Sequence, residues 1–412
     1  MPSWRSASPI FPGFRACLKS SSTMKIIDVQ WRSYRLPLLN SFTTAHGVMT
    51  AREGIIIQIT TERGISGIGE IAPLPASGSS SPAGSAASRS LLPDLAARLH
   101  EKTLAEALDL LLAWSKKGTI GADLSRPPPV YLPAFASTLC GLEIALLDAL
   151  GKTEGCGVSM LLSPVGTVPR AKVPVNAVIG ASTTEAAIEA AREAMSNDFL
   201  CVKLKVGLGG SVREEIERVA AVRDAIGPAM HLRLDANEAW NLEQAIAILS
   251  QCVPYDIQYV EQPLKAHDLA GMRDLRRAVP IPIAVDEALH GLESAQLVLN
   301  NEAADILVIK PQLAGGLHAV QQIMQAAAER GVRSVITSAI ETGIGVAAAL
   351  HLAAASPAVT LECGLATLHL LVDDLLVEGL PVREGFMTVP TGSGLGVTLD
   401  RKALDKYSLF LG

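Results

Sequence analysis

The sequence predicts an α/β protein: a (β/α)8 barrel of the TIM type joined to an N-terminal α+β domain. Three observations predict it. The length of 412 residues exceeds the roughly 250 that one barrel needs and leaves well over a hundred for a second domain. From about residue 170, eight short β-rich runs alternate with amphipathic helical patterns, the order that builds a parallel barrel. Ahead of them, period-two alternation gives way to helical periodicity, as in a smaller mixed domain.

Residues 1–23 carry Arg5, Arg15 and Lys19, no acidic residue and many serines and prolines. They read as a disordered extension or an over-long start, with a plastid transit peptide as the alternative; there is no apolar h-region for secretion. MKIIDVQWRSYRLPL and GIIIQITTERGISGIGEIAP then alternate apolar and polar residues and predict antiparallel strands. SGSSSPAGSAASRS at 77–90 is low in complexity and predicts a mobile surface loop of the kind that acts as a lid. Helices are expected in LLPDLAARL, LAEALDLLLAWSKK and LCGLEIALLDALGK.

The expected barrel strands are VPVNAVI, CVKLKVG, HLRLDA, IQYVEQ, PIAVDE, ILVIKP, SVITSA and VTLEC. The tail PVREGFMTVPTGSGLGVTLD looks like a return to the first domain. The expected division is therefore 24–165 plus 376–412 for the α+β domain and 166–375 for the barrel.

Hydrophobic residues make up 49% and charged residues 18%, enough to bury a large core. With 41 acidic against 35 basic residues the net charge is −6, which offers no basic field for nucleic acid. The cysteines at 17, 140, 156, 201, 252 and 363 form no C-x-x-C pair, as expected of reduced thiols in a cytoplasmic protein. The apolar run GVAAALHLAAA at 345–355 is short of the roughly 20 residues a membrane span needs, and no membrane partner is expected.

Charged residues recur where the apolar strands end. Lys203 and Lys205 lie in VKLKVG, Asp235 in LRLDANEAW, Glu261 in YVEQPL, Asp286 in IAVDEAL and Lys310 in LVIKPQL. In a (β/α)8 barrel the C-terminal strand ends surround one mouth, so these six groups converge. Three facing carboxylates are tolerable around a divalent cation, and oxygen-only ligands suit Mg²⁺, with Mn²⁺ as a substitute. Such an ion leaves positions open for a small-molecule carboxylate substrate and offsets the charge that grows when an α-proton leaves. Lys203 and Lys205, two apart on one strand, share a face; mutual repulsion and the dication should lower an ammonium pKa and leave Lys205 as the base. Lys310 approaches from the opposite side.

Asn237 is a candidate contact to the metal shell or the substrate. Glu287 is expected on the outer face, in a salt bridge. Thr337, Ser338, Glu341, Thr342 and Gly343 in ITSAIETGIG are expected to line the seventh strand end, where backbone N–H groups could hold a substrate carboxylate. His231, His267, His290 and His318 lack metal-ligand spacing and read as surface or satisfied polar residues.

The K-x-K, D-A-N, E-Q-P-L, D-E and K-P segments resemble the muconate-lactonizing subgroup of the enolase superfamily, over residues 24–412. The resemblance implies a capping domain over a modified barrel, Asp235, Glu261 and Asp286 as metal ligands, Lys205 as base, Lys203 as its electrostatic partner and Lys310 opposite. On GEIAPLP, SAIETGIG and CGLATLHLLVDDLL the chain is most similar to the o-succinylbenzoate synthase family, which implies dehydration of 2-succinyl-6-hydroxy-2,4-cyclohexadiene-1-carboxylate in menaquinone or phylloquinone biosynthesis. N-acylamino acid racemisation and muconate cycloisomerisation are the alternatives, because two opposed lysines also suit 1,1-proton transfer. Dipeptide epimerases carry a D-x-D near the eighth strand where this chain reads LECGLAT. A metal-binding scaffold without turnover is the non-enzymatic alternative. The specificity segments are expected to be the Ser-rich loop and the loop around residues 40–50, LNSFTTAHGV; a homo-oligomer is compatible with the sequence.

Overall fold

The protein is described by a computed structural model over residues 23–44, 47–74, 83–118 and 131–409. Strands β1 (Ile26–Thr44), β2 (Gly47–Thr61) and β3 (Ser66–Ile71) form an antiparallel sheet in that order. Ile55, Ile56, Ile57 and Ile59 are all buried, as befits the central strand of a sheet covered on both faces. The helix Tyr131–Glu154 lies directly on β3: a Cβ at Gly69 would stand 2.0 Å from the Gly141 carbonyl oxygen. Its stretch Pro133–Glu154 is long and apolar enough to cross a membrane, yet 89% of the most apolar window is buried inside the protein, so this is a core helix.

Two expectations for this region need correction. Residues 83–90 are the start of a helix, Ala83–Leu99, and not a loop; 77–82 lie outside the described residues. Alanines favour the helix, and the small serines bury against the neighbouring one, Ser88 Oγ donating to the Ala134 carbonyl at 3.1 Å. In LNSFTTAHGV, Phe42, Thr43 and Thr44 pair with Met49, Val48 and Gly47, so the segment forms the end of the β1–β2 hairpin; 45–46 lie outside the described residues.

After the short strand β4 (Lys172–Pro174), a parallel sheet runs in sequence order through β5 (Ala177–Ile179), β6 (Cys201–Lys205), β7 (His231–Asp235), β8 (Ile257–Glu261), β9 (Ile283–Val285), β10 (Ile306–Ile309) and β11 (Arg333–Ile336). Helices alternate with these strands, and their starts follow local chemistry: Ser211 with Glu214 and Asn241 with Gln244 form reciprocal capping boxes. The eighth position differs from expectation. VTLEC forms no ladder; Cys363 bridges to Val175 and Gly364 to Thr337, which joins the two sheet edges through single bridges. The result is a modified (β/α)8 barrel beneath an N-terminal α+β capping domain.

The interior is layered. At the bottom Arg233, fully buried, donates to Glu362 (2.5 Å), Gln258 (2.6 Å) and Asn176 (3.2 Å) and stacks 4.7 Å from the centre of the Tyr259 ring. Ala284, Ile306, Val308 and Val335 complete an apolar layer with Tyr259. The tail adds strands β12 (Val382–Arg383) and β13 (Phe386–Thr388), which extend β4, and then reaches β1, where Leu409 N–H donates to the Ser33 carbonyl.

Buried charge joins cap to barrel. Glu70 on β3 accepts from Tyr34 Oη, from Thr342 N–H (2.9 Å) and Oγ1 (2.7 Å), and from Gly345 N–H (2.9 Å), so it caps the barrel helix Gly343–Ala355. Glu143 on the core helix does the same for Leu317–Ala328, accepting from Leu317 N–H (2.7 Å) and His318 N–H (3.0 Å). Gly316, at φ +125°, is required there because a Cβ would come 1.9 Å from Glu143 Oε2. Glu70→Gln removes a charged acceptor and turns an amide donor toward existing donors. It should lower stability by about 3 kcal/mol, read by urea unfolding; an unchanged midpoint would show that the seam is held elsewhere.

Candidate active site

The parallel register sets the site. Lys205 pairs with Asp235 across β6–β7, and Asp235 with Glu261 across β7–β8, which puts three charged side chains in one cross-strand row. Lys203, two residues back, shares the inward face. Asp286 stands one residue beyond β9 and Lys310 one beyond β10, so all six predicted residues meet at the C-terminal mouth of the barrel.

Contacts there run between lysines and carboxylates. Lys203 Nζ donates to both oxygens of Glu261 (3.0 and 3.1 Å) and lies 3.2 Å from Asp235. Lys205 Nζ donates to Asp235 at 2.7 Å and also to Asn237 Oδ1. Lys310 pairs with Asp286. Burial pushes the Asp235 carboxyl up, but Lys205 and Lys203 outweigh it and hold the group well below the usual range. Glu261 goes the other way, pushed up to about 7 by burial and by Asp235, against the pull of Lys203.

For Lys203 and Lys310 the protein's own charges act in the raising direction. Burial lowers the Lys203 pKa, but Glu261 and Asp235 raise it well above the ordinary value; for Lys310 burial is likewise overcome by Asp286 and Glu287. Proximity to carboxylates outweighs the repulsion between neighbouring amines.

Asp235, Glu261 and Asp286 are nearly fully buried and offer only oxygen, a donor chemistry that fits a hard divalent cation such as Mg²⁺. Each now faces a lysine, and among the described residues no three acidic, imidazole or thiol groups are already gathered as a formed metal site. Asp235 and Asp286 meet their lysines through Oδ2 alone, which leaves Oδ1 of each without a lysine contact.

The remaining candidates sort differently from expectation. Glu287 does not reach an outer salt bridge. Its Oε1 accepts from Asn237 Nδ2 at 2.9 Å, and burial with Asp286 and Asp235 pushes it up to about 8. The chain turns out of β9 into an irregular segment at this point, so simple strand alternation no longer applies. Asn237 contacts Lys205 and Glu287.

At the seventh strand end the backbone N–H groups are already used. Ala339 donates to Glu341 (2.6 Å), Thr342 to Glu70 and Gly343 to Asp374 (2.8 Å), while Ser338 Oγ meets Thr367 Oγ1 at 2.8 Å. Thr342 therefore serves the cap–barrel seam and Gly343 the Asp374 carboxylate, not an N–H cradle for substrate. Thr337 Oγ1 donates to the Gly364 carbonyl. Glu341 is buried and pushed up to about 7 by desolvation and Glu70. His231 sits at the surface beside Glu362 (2.7 Å), His267 and His290 are exposed, and His318 is half-buried.

Sequence reasoning gave no role to Gln262, although it stands in the E-Q-P-L segment. Its Oε1 accepts from Asp286 N–H (3.0 Å) and its Nε2 donates to the Leu264 carbonyl (2.9 Å), holding the end of β9 against that of β8. A polar residue directly after an apolar strand was the available signal.

Residues 186–403 match the family described as enolase C-terminal domain-like, and residues 21–163 match the mandelate racemase / muconate lactonizing enzyme N-terminal domain. The chain is 39% identical to an o-succinylbenzoate synthase of Thermobifida fusca over 221 residues, 53% of this chain and 67% of that one. It is 29% identical to the L-Ala-D/L-Glu epimerase of Bacillus subtilis over 377 residues, 91% of this chain and 97% of that one. The muconate lactonizing enzyme of Pseudomonas fluorescens, solved with muconolactone, superposes with a TM-score of 0.83 at 25% identity, covering 94% of this chain and all of the other. With one domain match spanning more than half of its residues and a second covering the cap, the chain belongs to the enolase superfamily.

Proposed function

We propose that this enolase-superfamily enzyme is a Mg²⁺-dependent o-succinylbenzoate synthase, which dehydrates 2-succinyl-6-hydroxy-2,4-cyclohexadiene-1-carboxylate to 2-succinylbenzoate in menaquinone or phylloquinone biosynthesis. The observation that carries the reading is the array of Lys205, Asp235, Glu261, Asp286 and Lys310 around one barrel mouth. The 39% identity to the Thermobifida fusca synthase supports this reaction within the superfamily.

Asp235, Glu261 and Asp286 would hold the cation. When bound, the ion supplies positive charge for the substrate carboxylate as it becomes an enediolate. Lys205 shares Asp235 with Lys203, so neutralising that carboxylate frees the Lys205 nitrogen to serve as base. The neutral amine takes the proton from the ring carbon that bears the carboxylate, and the C–H electron pair passes into the enediolate. Return of those electrons forms the aromatic double bond and breaks the C–O bond at the adjacent carbon. Lys205 then gives its proton to the departing hydroxide, so one water leaves. Lys310, kept as an ammonium beside Asp286, stabilises the enediolate oxygens from the other side.

Racemisation of an N-acylamino acid is the second reading, favoured by the same opposed lysines and by 25% identity over 391 residues to the N-succinyl-L-Arg/Lys racemase of Bacillus cereus. Dipeptides fit less well, since Glu362, the carboxylate of LECGLAT, is engaged by Arg233 and His231.

Mixed with Mg²⁺ and the cyclohexadiene carboxylate, the full chain should remove the diene absorbance, and Lys205→Ala should reduce kcat by about 10³-fold or more. No turnover of the diene, with α-proton exchange on N-succinylamino acids in deuterated solvent, would move the function to the racemase. Because Glu261 must be ionised to bind metal and has a pKa of about 7, Mg²⁺ affinity should weaken by about tenfold from pH 8 to pH 6. Calorimetry in two buffers should show proton release near pH 6; affinity independent of pH would remove Glu261 from the ligand set.

A further inference from the structure

The amide of Asn237 stands between two groups that dictate its orientation. On one side is the Lys205 ammonium, which can only donate; on the other is Glu287 Oε1, which accepts from Nδ2 at 2.9 Å. The oxygen must therefore face Lys205 and the nitrogen Glu287. The backbone is also committed to this arrangement. Asn237 lies in the left-handed region (φ +43°), as do Glu238 (φ +66°) and Gln262 (φ +39°), and Glu238 N–H donates to the Gln262 carbonyl at 2.7 Å. Left-handed backbone at non-glycine residues is strained, and asparagine is among the residues that tolerate it best. Gln262 in turn holds the Asp286 N–H, which carries Glu287 to its partner. Glu287 Oε2 is buried and makes no hydrogen bond among the described residues, so this carboxylate is not placed there by a partner of its own on that side.

We propose that Asn237 and Glu287 are positioning residues for Lys205: Glu287 locks the Asn237 amide, and the amide oxygen holds the Lys205 nitrogen at the angle from which it meets the substrate carbon. This deepens the reading of Lys205 as the base and rests on it. Asp235 alone would leave that nitrogen free to swing about one contact; Asn237 supplies the second. Gln at 287 preserves the lock, because its amide oxygen can accept the same hydrogen bond, whereas Ala does not.

The test combines kinetics with chemical labelling of the full-length protein. Asn237→Ala and Glu287→Ala should each lower kcat by about 10- to 100-fold with little change in KM. Glu287→Gln should restore most of the activity, and the double Ala variant should be no worse than Asn237→Ala alone. Acylation of Lys205 by acetic anhydride at fixed pH, read by peptide mass spectrometry, should be several-fold faster in both Ala variants and unchanged in Glu287→Gln. Losses that multiply, a loss confined to KM, or Ala variants labelled at the parent rate would overturn the positioning role. Faster labelling in an enzyme that turns over no carboxylate substrate would instead support the role and overturn the proposed reaction.

Discussion

A barrel can carry six charges at its mouth only if each is compensated, and here the compensation is arranged through shared partners. Asp235 serves two lysines, and Glu261 takes both its oxygens to one of them. Strand register makes this possible, since Lys205, Asp235 and Glu261 are cross-strand neighbours. Unpaired burial of any one of these charges would cost several kcal/mol. The same economy appears at the seam, where Glu70 and Glu143 put ionisable groups against helix N-termini whose N–H groups would otherwise lack partners. Site and seam converge on the seventh strand end, because Glu70 and Arg52 from the cap reach the segment around Ile340–Gly345.

Much of this was legible in the sequence, for a specific reason. An apolar β-run ending in Lys, Asp or Glu is unusual, and five such runs in order fix both the barrel and the mouth without contact information. Spacing by one βα unit does the rest. What periodicity could not supply was the path of the chain after a strand ends. Glu287 was misassigned because alternation was extended past Val285, where β9 stops. The N–H groups of Thr342 and Gly343 looked available because their acceptors, Glu70 and Asp374, lie 272 and 31 residues away.

Composition misled in one further place. Residues 83–90 read as part of a mobile surface loop because the stretch is low in complexity, yet small side chains are what allow Ala83–Leu99 to lie close to the core helix, with Ser85 and Ser88 buried. Low complexity and close packing make the same demand on side-chain size, so only the tertiary partner distinguishes them.

The Arg233–Glu362 pair has a consequence for traffic through the molecule. With Arg233 stacked on Tyr259 and tied to the segment that joins the barrel edges, the lower end is closed by charge and ring alike. The vessel is single-ended. The carboxylate row is then open only toward the opposite end, the side where Arg52 and Glu70 of the capping domain meet the segment Ile340–Gly345.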